Sequence, residues 1–188
     1  QVRKNADVLA VLSCPEHPEY QMSMCLNYYF GANRFADRAR YDIAVFLMYR
    51  TIEMVLSAAL REIGIDPSDP QYPNWLTVGR YNEKLKEVFE KDHHEKSLPH
   101  KVGLMDSAVI LSVKGDSLVE DLNLKELKGI IELRNTSHFT HGFRVLNEED
   151  FKKVRRTSRK LLEKYLSGRG KASVREFEQF FNFPKILI

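Results

Sequence analysis

The sequence predicts an all-α fold, a helical bundle, and three observations carry that prediction. Apolar residues recur at spacings of three and four through most of the chain, the period of a half-buried helix. The alternating pattern of a strand is nearly absent. Asparagines, aspartates and glycines fall at the ends of the periodic stretches, where helices start and stop. With 188 residues, 43% hydrophobic and 29% charged, the chain is long enough to bury a core and has the composition of a globular domain.

Residues 1–18 read as an N-terminal segment. The chain opens on Gln1 with no targeting or secretory pattern, and we expect the remnant of a linker that followed a preceding domain. The main helical domain is expected over residues 19–168. Its first helix, from Glu19 to about Arg38, spaces Met22, Cys25, Leu26, Tyr29 and Phe30 along one face. The second runs from Asp42, an expected N-cap, to Ile63 and closes at Gly64. It is apolar nearly all round and belongs at the centre of the bundle.

Pro67, Pro70 and Pro73 then mark a loop. A short helix follows from Tyr81 to Lys91, and a polar connection from Asp92 to His100. Val102 to Val113 makes the next helix, ended by Gly115. Asn123 and Glu126 form a capping box for a helix that carries Leu124, Leu127, Ile130, Ile131 and Leu133 toward a stop at Gly142. Asn147 opens the last long helix, with Glu148, Glu149 and Asp150 where acids suit the helix dipole, and this helix ends near Gly168. Residues 169–188 form a tail, expected to pack on the bundle or on the missing domain. No run approaches the roughly 18 apolar residues of a membrane span, so no membrane partner is expected.

The net charge of +3 is too small to identify a nucleic-acid binder. Its distribution is more informative, because Lys152, Lys153, Arg155, Arg156, Arg159, Lys160 and Lys164 crowd one segment. Such a run is either a solvated helix face or an electrostatic track for a polyanion. Cys14 and Cys25 form no CxxC pair and read as buried small apolar residues. His93, His94 and His100 lie in a charged connection with no completing ligand pattern, so neither a metal nor a cofactor is expected. Arg50 and Glu53 read as a buried ion pair inside the second helix. Asp106, Asp116, Glu120 and Asp121 form no convincing carboxylate pair, and neither a phosphate-binding glycine loop nor a nucleophile elbow is present.

One segment remains: Arg134-Asn135-Thr136-Ser137-His138-Phe139-Thr140-His141. If the helix continues through it, its advance of about 100° per residue sets His138 about 40° and His141 about 20° from Arg134. Arginine offers a planar fork for phosphate oxygens, and histidine gives and takes protons near neutrality. The plainer reading is a helix end whose basic residues suit its negative pole.

This segment resembles the RxxxxxxH signature of HEPN ribonuclease domains, with Asn135 in the polar slot after the arginine and His141 at the histidine position. His138, with only three residues between it and Arg134, falls outside that spacing. Arg40-Tyr41-Asp42-Ile43-Ala44-Val45 through Glu53 resembles the long central helix of the HEPN half of CRISPR-associated CARF–HEPN proteins from type III systems. Lys101-Val102-Gly103-Leu104-Met105-Asp106 resembles their next helix. The resemblance covers roughly residues 20 to 166.

It implies a HEPN-type bundle that cleaves single-stranded RNA without a metal, in antiviral defence in the cytoplasm. His141 would be general acid or base, Arg134 would stabilise the phosphorane charge, and Asn135 would orient the phosphate or the ring. His138 would be auxiliary. The resemblance further implies a homodimer that pairs two motifs across one cleft. Activation by cyclic oligoadenylate would come only through a sensor domain absent from this chain. Lys152, Arg155, Arg156 and Arg159 are expected to guide the RNA backbone. The alternative is a catalytically silent HEPN dimerisation or RNA-binding module, and a third reading is a DNA-binding helical regulator that uses the basic helix.

Overall fold

A computed structural model of the chain describes residues 2–89, 94–137, 142–171 and 173–181. Among these residues the fold is all-α. Eight helices follow one another: α1 Val2–Leu12, α2 Tyr20–Ala36, α3 Tyr41–Glu62, α4 Val78–Phe89, α5 Leu104–Lys114, α6 Leu124–Thr136, α7 Glu148–Ser167 and α8 Val174–Phe181. The chain divides into two compact units, residues 1–55 with 134–188, and residues 56–133.

In the first unit, α1, α2, α7 and α8 pack on one another. The spacing of apolar residues on α2 explains its place, since Met22, Cys25, Leu26, Tyr29 and Phe30 are all buried. Phe181 of α8 stacks on Phe30 with centroids 5.4 Å apart, and its carbonyl accepts a 2.8 Å hydrogen bond from Arg34. From α7, Phe151, Val154, Leu161, Leu162, Tyr165 and Leu166 enter the same core. The part of α3 in this unit is apolar as expected, with Ala44, Val45, Met48 and Ile52 fully buried. By length and composition α3 is comparable with a membrane-crossing helix, a likeness that counting uninterrupted apolar residues had not registered. Most of it is buried within the protein, as in the core helix of a bundle.

The second unit joins the C-terminal turns of α3 to α4, α5 and most of α6. Tyr81, Leu85, Ile110, Leu111, Leu127 and Ile130 are among its largest buried side chains. Its polar groups are well paired. Tyr81 donates a 2.5 Å hydrogen bond to Asp106, whose other oxygen accepts the Gly103 amide at 3.1 Å and caps α5. Buried Asn82 acts as a stand-in for backbone, donating to the Lys96 carbonyl and accepting from the Lys96 amide, both at 2.8 Å. Gly115 ends α5 in the left-handed region at φ 74°, a conformation costly for any side-chain-bearing residue.

Several local expectations need correction. Asp42 is not an N-cap: the Arg40 carbonyl already accepts the Ala44 amide, so α3 begins earlier and Asp42 lies inside its first turn. The Arg50–Glu53 ion pair is present, but its side chains are 38% and 29% exposed, so the pair is not buried. Cys25 is buried and Cys14 is exposed. The helix expected to run to Gly142 stops at Thr136.

Candidate active site

The end of α6 is set by Ser137. Its amide and its hydroxyl both donate to the Arg134 carbonyl, at 3.2 and 2.7 Å, and this closes the last turn against further α-helical growth. Ser137 and Arg144 form a parallel β-bridge, in which Arg144 donates its amide to the Thr136 carbonyl at 3.1 Å. Separately, Gly142 donates its amide to the Ser137 carbonyl at 3.1 Å. A Cβ at position 142 would lie 1.8 Å from the Thr136 carbonyl oxygen. Glycine is required here by close backbone approach, not by an unusual dihedral angle. The helix face expected to be shared by Arg134, His138 and His141 is described only as far as Thr136, where α6 ends. His138 and His141 lie outside the described residues, as does His93.

Arg134 and Asn135 are in the final turn of α6, where the negative helix pole favours a cation. The Arg134 guanidinium lies over the Tyr49 ring, 5.3 Å from its centroid, and Nη1 donates to Asn135 Oδ1 at 3.0 Å. Tyr49 is supplied by α3 and is 8% exposed. Burial and the neighbouring Glu53 push its hydroxyl pKa up, against the opposing charges of Arg134 and Arg50. The next residue, Arg50, pairs with Glu53 and lies 6.0 Å from the Tyr28 ring. Arg134 is thus a half-buried cation held on an aromatic base and tethered by an amide. This geometry suits a planar fork presented to phosphate.

Beyond Gly142 the chain is pinned on both sides. Arg144 reaches Asp150 of α7 at 2.7 Å, and Asp150 also forms the N-terminal capping box of α7 with Asn147. Leu146 donates its amide to Asp42 Oδ1 at 3.0 Å. Leu146 itself is buried, at 4% exposure, whereas Phe143 and Val145 are 95% and 76% exposed.

The basic face of α7 is unevenly committed. Lys152 binds Glu148 and Glu149 at 3.0 and 3.3 Å, which raises its pKa, and Arg159 lies 3.7 Å from Glu163. Arg155 and Arg159 line a cleft of about 370 Å³ shared with Asn33, Asp37, Arg175 and Glu178. Arg156 is exposed on the same helix.

Tyr49 and Asp42 were not singled out by sequence as parts of the site. The available signals were a tyrosine beside a charged pair in an apolar helix, and an aspartate in a first turn that had no need of a second cap.

Residues 17–165 match the family model for the Csm6 HEPN domain. The CRISPR system endoribonuclease Csm6 of Thermus thermophilus is 30% identical over 125 residues, which cover 64% of this chain and 26% of that protein. The chain thus spans about a quarter of the length of that relative. The family match takes in α2 through most of α7, including the turn at Thr136 that ends α6, and on that extent the chain belongs to the Csm6 HEPN domain family.

Proposed function

We propose that this domain is the ribonuclease unit of a CRISPR-associated protein, cleaving single-stranded RNA by a metal-independent route. The observation that carries the reading is the family match across the segment containing Arg134, Asn135 and His141. The Thermus relative is an endoribonuclease, which supports it, as does the fixing of Arg134 over Tyr49.

In this reading the 2′-oxygen of the substrate attacks the adjacent phosphorus while its proton passes to a base. The bond to the 5′-oxygen breaks, and that oxygen takes a proton as it leaves. The products are a 2′,3′-cyclic phosphate and a 5′-hydroxyl. His141 serves this proton transfer, with His138 as an auxiliary. Arg134 stabilises charge on the non-bridging oxygens, usually the largest contribution to such catalysis. Asn135 holds the Arg134 guanidinium in position through its side-chain oxygen. Lys152, Arg155, Arg156 and Arg159 track the RNA backbone.

A single motif makes half a site. A homodimer about a two-fold axis completes it, and cyclic oligoadenylate acts through a sensor domain outside this chain. A cytoplasmic location follows from the same reading.

The test is incubation of the purified chain and its Arg134→Ala and His141→Ala variants with end-labelled single-stranded RNA in excess chelator. Cleavage to cyclic-phosphate ends by the parent, lost in both folded variants, is the expected result. Undiminished cleavage by His141→Ala overturns the assignment. Binding without cleavage by the parent favours the catalytically silent module instead.

A further inference from the structure

Phe143 is the largest apolar side chain left in solvent among the described residues, at 95% exposure, and Val145 beside it is 76% exposed. Exposure alone is common for single apolar residues. What distinguishes Phe143 is that its backbone is held from both sides. Gly142 is bonded to Ser137 and Arg144 to Thr136, Arg144 is paired with Asp150, and Leu146 is tied to Asp42. Arg144 and Leu146 make the anchoring contacts, and the side chains of Phe143 and Val145 are left in solvent. This anchored backbone presents an aromatic ring to water one residue from the bridge at Ser137, and the next residue, Arg144, is bonded to Thr136, which follows Arg134 and Asn135 in the last turn of α6.

We propose that Phe143 is a stacking platform for an unpaired base of single-stranded RNA, placing the flanking nucleotide while its phosphate meets Arg134. The inference rests on the nuclease reading for its substrate, but its chemistry is separate. Aromatic faces accept any base, and such stacking combined with nearby cations is the general way unpaired strands are gripped. The surroundings favour a base over a second protein surface. Near Phe143 in the chain, Arg144 and Asn147 are polar and exposed, and the carboxylates of Glu148 and Glu149 are engaged by Lys152, whereas the centre of a stable dimer interface is apolar and part of an area of roughly 800 Å² per partner. Two apolar side chains make a base-sized platform and no such centre.

The experiment uses the full chain with a short RNA made uncleavable by 2′-O-methylation, so that binding is read without turnover. Phe143→Ala should bind it roughly 5- to 150-fold more weakly, the range found for losing one base stack, and Phe143→Trp should restore binding. The fluorescence of the introduced tryptophan, read against the parent with Trp75 alone, should be quenched by RNA and not by an abasic strand of equal length. Equal binding by Phe143→Ala and the parent overturns the proposal. So does dissociation of a dimer by Phe143→Ala in sedimentation, together with loss of binding, which would assign the ring to a second copy. Weakened binding in Phe143→Ala with no cleavage of ordinary RNA by the parent retains the platform and removes the nuclease reading.

Discussion

Asp42 and Leu146 are 104 positions apart in sequence, yet the carboxylate of one accepts the backbone amide of the other at 3.0 Å. A first-turn residue of α3 thus fixes the segment that follows the candidate motif. The Leu146 side chain is buried, and a buried amide left without its acceptor costs about 1–3 kcal/mol. Asp42→Ala should lower stability by about that amount, and Asp42→Asn, which keeps an acceptor oxygen, should lose less. Hydrogen exchange at the Leu146 amide should accelerate in Asp42→Ala; unchanged exchange there would show that the segment is held by other contacts.

Gly142→Ala places a methyl where the Thr136 carbonyl oxygen is only 1.8 Å away. The two strands of backbone must separate, breaking the Gly142–Ser137 and Arg144–Thr136 hydrogen bonds. A loss of about 1–3 kcal/mol is expected, comparable with overpacking elsewhere. RNA cleavage should fall further than stability does, because the segment that moves flanks the motif. The check is denaturant unfolding and turnover measured on the same preparation.

Tyr49→Leu removes the ring beneath Arg134 and should weaken the hold on its guanidinium by about 0.5–2 kcal/mol, the worth of a cation–π contact. Tyr49→Phe keeps the ring face and should behave nearly as the parent. If the phenylalanine variant loses as much cleavage as the leucine variant, the hydroxyl matters more than the ring.

Alkaline pH should destabilise the protein through groups whose neutral forms the fold prefers. Burial pushes the Cys25 thiol from 9.0 up to about 12, outweighing the opposing pull of Arg169. Burial, with Asp106 nearby, pushes Tyr72 from 10.0 up to about 12. The unfolded chain ionises both groups first, so their contribution is whole below about pH 9 and is lost as pH rises toward 12. Unfolding midpoints in urea from about pH 8 upward should show this decline, and Cys25→Ala should flatten its lower part. Iodoacetamide should label exposed Cys14 in the native state and leave Cys25 unmodified.

The helices were legible because their signals are local. Met22, Cys25, Leu26, Tyr29 and Phe30 announce α2 by spacing and are buried as the spacing requires, and Asn147 caps α7 through Asp150 as its sequence suggests. The end of α6 was not legible. Ser137 bonding back to Arg134 and Gly142 lying against Thr136 are contacts across a turn, and helical periodicity carries no information about them. Arg134 and Asn135 were singled out as candidates by chemistry and motif spacing. From α3, Tyr49 reaches Arg134 and Asp42 reaches Leu146, a neighbourhood created only by folding.

The hydrogen bond between Ser137 and Gly142 joins the two residues on either side of positions 138–141. A chain closed at its base tolerates changes in what it carries, since each doubling of loop length adds only about 0.6 kcal/mol of closure entropy. The scaffold and residues 138–141 can therefore vary independently. Relatives with longer, shorter or chemically inert insertions at this point can keep the same bundle, and the bracket at 137 and 142 is a natural junction for grafting one such insertion onto another.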